Sequence, residues 1–232
     1  MTQIRAISFD LDDTLWPVAP VIETAEQAVH AWFLRHGPPV ARCFDVEGLR
    51  RLRLAVAEAH PEQAHDLSLM RRLSLRLACR QAGVDEDLAE PAFQIFFEAR
   101  NRVQWYEDVA EVISSLAERH TLVALSNGNA DLALTGLAPW FRFGISAIEA
   151  GAAKPDPRMF HHAARRLDLA PAEILHVGDD PLRDVAGARR AGCAAVLLDR
   201  IGDRGVDSPV PVIRNLRALP ALIEDGTATR SA

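Results

Sequence analysis

The stretch Ile4–Phe9 is apolar apart from Arg5 and Ser8 and stops abruptly at an acidic cluster. A short apolar, β-branched run ended by polar residues predicts a strand. From about Pro20 to Arg102 the spacing changes. Apolar residues recur every three or four positions: Val21, Ala25, Val29 and Phe33, then Leu49, Leu52 and Val56, then Met70, Leu73 and Leu77, then Phe93, Phe96 and Phe97. Breaks fall at Gly37-Pro38-Pro39, His60-Pro61 and Gly83. This pattern predicts about four helices and no strand. Beyond Trp105 the two periods alternate. The expected order is helix 108–119, strand 121–126, a short helix, strand 143–146, helix 157–167, strand 174–177, helix 181–191, strand 194–198 and a short strand 210–213. Residues 225–232 read as a frayed tail. Strands alternating with helices predict an α/β fold: a doubly wound, mostly parallel, Rossmann-like sheet covered on both faces. The helical block interrupts it after the first strand. The expected division is a core of 1–16 and 105–232 with an inserted all-helical domain of 17–104.

In such a sheet, ligands sit at the carboxyl ends of the strands. The first strand runs into Asp10-Leu-Asp-Asp-Thr14, the second ends in Ser126-Asn-Gly-Asn129, and the weak third is followed by Lys154-Pro-Asp156. The fourth runs into Gly178-Asp-Asp-Pro-Leu-Arg-Asp184. Asp10, Asp12, Asp179, Asp180 and Asp184 would therefore crowd one edge. Coulomb repulsion opposes that arrangement at neutral pH unless a cation sits among them. An all-oxygen donor set selects a hard ion, of which Mg²⁺ is the common one. Mg²⁺, a serine hydroxyl, backbone amides and one ammonium together make a phosphate site. Asp10 can supply the nucleophile there.

Composition narrows the partners. The 232 residues carry 26 basic and 32 acidic side chains, a formal charge of −6. That balance argues against a nucleic-acid binder, which would carry a basic face. No apolar run is long enough for a membrane span and no signal peptide is readable. The cysteines, Cys43, Cys79 and Cys193, are odd in number and widely spaced. A reducing cytoplasm is the expected setting. Of the 26 cationic residues only Lys154 is a lysine. A chain that uses arginine everywhere else keeps an ammonium at one of its strand-end motifs.

The four segments Phe9-Asp-Leu-Asp-Asp-Thr-Leu15, Ser126-Asn-Gly-Asn129, Lys154-Pro-Asp-Pro157 and Val177-Gly-Asp-Asp-Pro-Leu-Arg-Asp184 resemble, in order, the four motifs of the haloacid dehalogenase-like hydrolases. The helical insertion resembles the cap of that family's first cap class. The resemblance implies a Mg²⁺-dependent phosphatase. Asp10 would attack phosphorus to give an aspartyl-phosphate, and Asp12 would protonate the leaving oxygen and later deprotonate water. Mg²⁺ would be held by Asp10, the Asp12 carbonyl and Asp179, and phosphate by Ser126, Asn127 and Lys154. Thr14 would brace the loop, and Asp184 would support a metal-bound water. Within the family, Ser126-Asn-Gly-Asn-Ala130, Ile174-Leu-His-Val-Gly-Asp-Asp180 and the early insertion, Pro20–Thr24 and Leu49–Arg53, are similar to the bacterial phosphatases that act on FMN and on a phosphorylated riboflavin precursor, 5-amino-6-(5-phosphoribitylamino)uracil. The implied partner is a small phosphorylated metabolite. Nucleoside monophosphates, phosphoglycolate and sugar phosphates stay open, as does a monomer or a small homo-oligomer. A haloacid dehalogenase is the alternative reaction, but those enzymes lack the second acidic residue of the first motif and need no metal.

Several residues have plainer readings. Asp180 before Pro181 reads as a helix N-cap. Asp13 reads as an exposed or loop-bracing carboxylate, His176 as a packed residue, and the Phe93–Phe97 stripe as insertion core. Trp16 follows the catalytic loop and is expected either to pack or to face a substrate ring.

Overall fold

The computed structural model of the protein describes residues 3–202 and 208–226. The final residues of the expected tail, from 227 on, lie outside them. Two compact units are present, Met1–Pro17 with Gln104–Ala232, and Val18–Val103.

In chain order, β1 (Ala6–Phe9) leads into α1 (Val18–His36), α2 (Pro38–Cys43), α3 (Val46–Ala59), α4 (Leu67–Gln81) and α5 (Ala89–Arg100). After these come α6 (Val109–Ala117), β2 (Thr121–Ser126), β3 (Phe141–Ser146), α7 (Ala147–Ala150), α8 (Arg158–Leu167) and β4 (Ile174–Gly178). A π-helical turn (Pro181–Ala186) runs into α9 (Gly187–Arg190), followed by β5 (Ala194–Leu198), β6 (Val212–Ile213) and α10 (Leu219–Glu224). The strands form one sheet in the order β3-β2-β1-β4-β5-β6, and every neighbouring pair is parallel. All four residues of β1 and all five of β4 are buried, as expected of central strands covered on both faces. Side chains from β2, β3, α8 and the segment after β4, among them Leu125, Ile145, Phe160 and Val185, close one apolar cluster of this unit.

The helical unit is built on α1, whose Val21, Ala25, Val29 and Phe33 repeat every four residues and are buried. Phe33, Phe93 and Phe96 belong to the unit's own core, so the Phe93–Phe97 stripe is packing. Each buried side chain of this size contributes about 1.5–3 kcal/mol. Asp45 and Asp66 cap α3 and α4, accepting from the amides of Gly48 and Leu69 at 2.6 and 2.8 Å. Among the described residues no helix is long and apolar enough to cross a membrane.

The structure departs from the sequence pattern in two places that border the site. The short helix expected after β2 is a series of turns. Asp131 Oδ1 there accepts from the Ala133 and Leu134 amides at 2.8 and 3.0 Å, and Gly136 has φ +81°. A side chain that satisfies the amides locally competes with a helix. The helix expected over 181–191 is split, because its first part is wound wider. Asp180 caps it as anticipated, accepting from the amides of Leu182 and Arg183 at 2.8 Å each.

Candidate active site

The strand order 3-2-1-4-5-6 places the topological switch between β1 and β4, and the crevice for a ligand lies at the carboxyl ends of those strands. Asp10 follows β1 and Asp179 follows β4. The Asp10 amide donates to the Val177 carbonyl at 2.9 Å, which carries the strand pairing one residue beyond β1. Carboxylate oxygens of Asp10, Asp179 and Asp184 all lie within 4.8 Å of one another. Asp184 reaches them because Gly178 has no side chain: a Cβ there would overlap the Asp184 carboxyl group. The Asp180 amide then fixes Asp184 Oδ2 at 2.9 Å.

Lys154 stands among these carboxylates and is 3% exposed. Its Nζ donates to Asp10 Oδ1 at 2.6 Å, Asp184 Oδ1 at 2.7 Å and the Leu125 carbonyl at 2.6 Å. Burial alone would lower the ammonium pKa, but Asp10 and Asp184 outweigh it and hold the pKa up at about 12. Lys154 is charged. An ammonium has three donors, and here each has a protein acceptor. The phosphate contact expected of Lys154 therefore requires sharing a donor with a carboxylate.

Burial also pushes the Asp184 carboxyl upward, but Lys154 and the hydrogen bond from His176 overcome it and hold the group well below the usual range. Asp10 ends on the other side. Burial raises its pKa well above the ordinary value, against the pull of Lys154, and the negative charges of Asp184 and Asp179 add to the rise. Three carboxylates, two of them buried, lie beside a single ammonium. Such an excess of negative charge is costly without a further cation. The donor set, carboxylate oxygens and no sulfur or imidazole, fits a hard divalent ion.

The remaining expected residues are placed as follows. Thr14 Oγ1 donates to Asp179 Oδ1 at 3.2 Å and lies 3.5 Å from Asp10 Oδ2, so it braces the carboxylates. Ser126, at the end of β2, is buried, and its Oγ accepts from the Gly128 amide at 2.9 Å. Asn127 has a second contact that the sequence does not announce. Its side chain grips the Lys154 backbone, accepting from the amide at 2.7 Å and donating to the carbonyl at 3.0 Å. Its amide group thus aims the lysine, and only its backbone N–H is left for the phosphate role. Asp184 lies in the carboxylate cluster and is paired with Lys154. For Trp16 the structure favours the packing alternative. The residue is fully buried, and its Nε1–H donates to Asp12 Oδ1 at 2.9 Å. A buried ring presents no face on which a substrate could stack.

Two contributors escape a reading of the sequence. His176, within β4, has its Nε2 3.1 Å from Asp184 Oδ1 and its Nδ1 2.9 Å from Ser8 Oγ. Burial lowers its pKa, so it is neutral. Facing an ionised carboxylate, Nε2 is assigned the proton and Nδ1 accepts from Ser8. Arg200 is the second. Its Nε and Nη2 donate to the Thr14 carbonyl at 3.1 and 2.9 Å, and its Nη1 and Nη2 to the two oxygens of Asp108 at 3.1 Å each. The guanidinium also lies 3.9 Å from the centre of the Tyr106 ring. Asp108 in turn accepts from the Leu216 amide at 2.6 Å. The signal for Arg200 was its position just past the fifth strand, the same strand-end location that exposed the other motifs.

Comparison with known proteins agrees with this geometry. Residues 4–192 match the family model described as haloacid dehalogenase-like hydrolase. The 5-amino-6-(5-phospho-D-ribitylamino)uracil phosphatase YigB of Escherichia coli is 39% identical over 197 residues, 83% of this chain and 82% of that protein. A glyceraldehyde 3-phosphate phosphatase of Methanopyrus kandleri is 30% identical over 207 residues, 85% of this chain and 84% of that protein. Among solved structures, one described as a 2-haloacid dehalogenase from Pseudomonas syringae superposes with a TM-score of 0.90 at 36% identity, covering 97% of this chain and all of that one.

Proposed function

Because the chain belongs to the haloacid dehalogenase-like hydrolases, we propose that the switch-point carboxylates serve a Mg²⁺-dependent phosphatase of a small phosphorylated metabolite in the cytoplasm. The substrate we propose is 5-amino-6-(5-phospho-D-ribitylamino)uracil, with FMN as a related ester. Similarity to YigB over most of both chains supports that choice.

One observation carries the reaction class. Three carboxylate groups lie within 4.8 Å with a single ammonium between two of them, and a second acid, Asp12, stands two residues past the nucleophile. Asp10, the Asp12 carbonyl and Asp179 would hold the cation, which when bound draws negative charge from the phosphoryl oxygens. Asp10 attacks phosphorus, the bond from phosphorus to the ester oxygen breaks, and the proton of Asp12 passes to that oxygen. Asp12, now a carboxylate, takes a proton from water as the water oxygen attacks the phosphorylated Asp10. The second displacement returns Asp10 as a carboxylate and releases phosphate. Ser126 and the Asn127 amide would hold phosphoryl oxygens, while Lys154 neutralises Asp10 and Asp184.

The likeness to a 2-haloacid dehalogenase structure gives a second reading, in which Asp10 displaces halide without metal. Phosphate release from the riboflavin precursor, FMN, glyceraldehyde phosphate and phosphoglycolate, followed before and after EDTA, separates the two. Metal-dependent phosphate release is expected. Halide release from a 2-haloacid that survives exhaustive chelation, with no phosphate released from any ester, would select the dehalogenase.

A further inference from the structure

We propose that Trp16 is a positioning residue acting through Asp12: its indole N–H holds one oxygen of the acid–base carboxyl so that the other oxygen alone carries the catalytic proton. This rests on the phosphatase reading and adds to it a residue outside the four motifs.

The local backbone makes the contact possible. After β1 the chain curls back on itself. The Leu15 amide donates to the Leu11 carbonyl and the Asp13 amide to the Trp16 carbonyl, each at 2.8 Å. Asp12 and Trp16 pair as an isolated parallel bridge. Asp13 takes φ +61° at the tip, a left-handed conformation that Asp accepts more readily than most residues. The curl brings an indole four residues downstream alongside Asp12, with Nε1 to Oδ1 at 2.9 Å.

The chemistry of the donor then does the rest. An indole N–H only donates. It pairs best with a carboxylate oxygen or the carbonyl oxygen of a carboxylic acid, because the hydroxyl oxygen of a carboxyl is a much weaker acceptor. Oδ1 is therefore the favoured acceptor in both protonation states, which places the transferable proton on Oδ2. Burial reinforces the arrangement. Trp16 is 0% exposed, so an indole N–H turned away from Asp12 would lose its partner out of reach of water. The same oxygen is thereby presented when Asp12 gives its proton to the leaving group and when it takes one from water. Neither step requires the carboxyl to rotate.

A group that orients a general acid matters in proportion to how badly the leaving oxygen needs a proton. An alkoxide needs one, whereas para-nitrophenolate leaves without one. The test is kcat/KM, which for this two-step scheme contains leaving-group departure and not hydrolysis of the phosphorylated Asp10. It is measured for para-nitrophenyl phosphate and for the best primary-alkyl phosphate among FMN, glyceraldehyde phosphate and phosphoglycolate. Trp16→Phe removes the N–H and keeps most of the buried ring. Benzothienylalanine at position 16 replaces N–H by sulfur in nearly the same shape, and serves if the phenylalanine variant does not fold. The expected result is a loss of about 10- to 100-fold on the alkyl ester and of less than about threefold on the nitrophenyl ester. In an Asp12→Asn background the Trp16 substitution should cause no further loss on the alkyl ester. Equal losses on both esters would mean general damage to the loop and would overturn the proposal, as would unchanged rates on both. A wild-type protein that releases phosphate from no ester would instead sink the phosphatase reading itself.

Discussion

Replacing Lys154 by arginine keeps the charge and changes only its shape. The ammonium makes three bonds of 2.6–2.7 Å from one nitrogen, to Asp10, Asp184 and the Leu125 carbonyl. A guanidinium spreads its donors over a rigid plane and cannot converge them on three acceptors around one point. At least one hydrogen bond to a charged group is lost, about 1.5–3 kcal/mol. The larger group must also enter a place where lysine is 3% exposed, and overpacking of that kind costs about 1–3 kcal/mol. Part of the loss falls on the step in which Asp10 attacks, because the cation touching the nucleophile has moved. The expected fall in kcat/KM is about two orders of magnitude or more, the scale of one lost transition-state donor. A charge-conserving exchange would by itself be expected to shift the melting temperature little. Burial among two carboxylates alters that expectation, and a loss of at least about 2.5 kcal/mol lowers the midpoint by at least about 5 °C. Steady-state phosphate release and thermal unfolding on Lys154→Arg check both numbers. Wild-type kinetics would refute the reasoning. They would show that charge suffices there, and that the single lysine among 26 cations landed at the site by chance.

Other outcomes follow from the same geometry. Asp10→Asn removes the nucleophile but keeps its shape, so turnover should vanish while substrate still protects the protein in a thermal-shift assay. Chelation with EDTA should abolish phosphate release and Mg²⁺ restore it, whereas Ca²⁺ should bind but support turnover poorly, because its larger, looser shell misplaces the nucleophile. Gly178→Ala puts a methyl group onto the Asp184 carboxyl. It should lower both stability and activity, with Asp184 driven off Lys154, and an unchanged melting temperature would count against the packing argument. Arg200→Lys cannot grip both the Thr14 carbonyl and Asp108, and should cost about tenfold in kcat/KM, the loss of about 1.4 kcal/mol of positioning, read by the same kinetics.

Residues that announced themselves in the sequence share one property: they sit immediately past a strand, and the strands are apolar enough to be found by pattern. Asp10 and Asp179 follow β1 and β4 directly and Ser126 closes β2, and a parallel sheet brings such strand-end positions together whatever lies between. Lys154 was legible for a different reason, as the one ammonium in a chain of guanidiniums. The secondary structure failed where a side chain rather than apolar spacing decided the backbone. Asp131 holds turns where a short helix was expected, and the wide turn after Asp180 splits what read as one helix.

What could not be read is the direction in which a side chain works. Asn127 stands in a motif proposed to bind phosphate, and its side chain grips the Lys154 backbone, 27 residues on. His176 looks like strand packing, and its alternation in β4 gives no hint that Ser8 and Asp184 lie at its two nitrogens. Trp16 invited a stacking role because aromatic rings stack, whereas burial left its polar edge as the active part. Arg200 is one arginine among 25, and only the fold reveals that its fork closes on the catalytic loop. These four act through another residue: Asn127 through Lys154, His176 through Asp184, Trp16 through Asp12, and Arg200 through Thr14. A residue that touches phosphate must have the right chemistry at a strand end, so the sequence exposes it. A residue that aims its neighbour needs only a donor in the right place, and that place is defined by the packed chain.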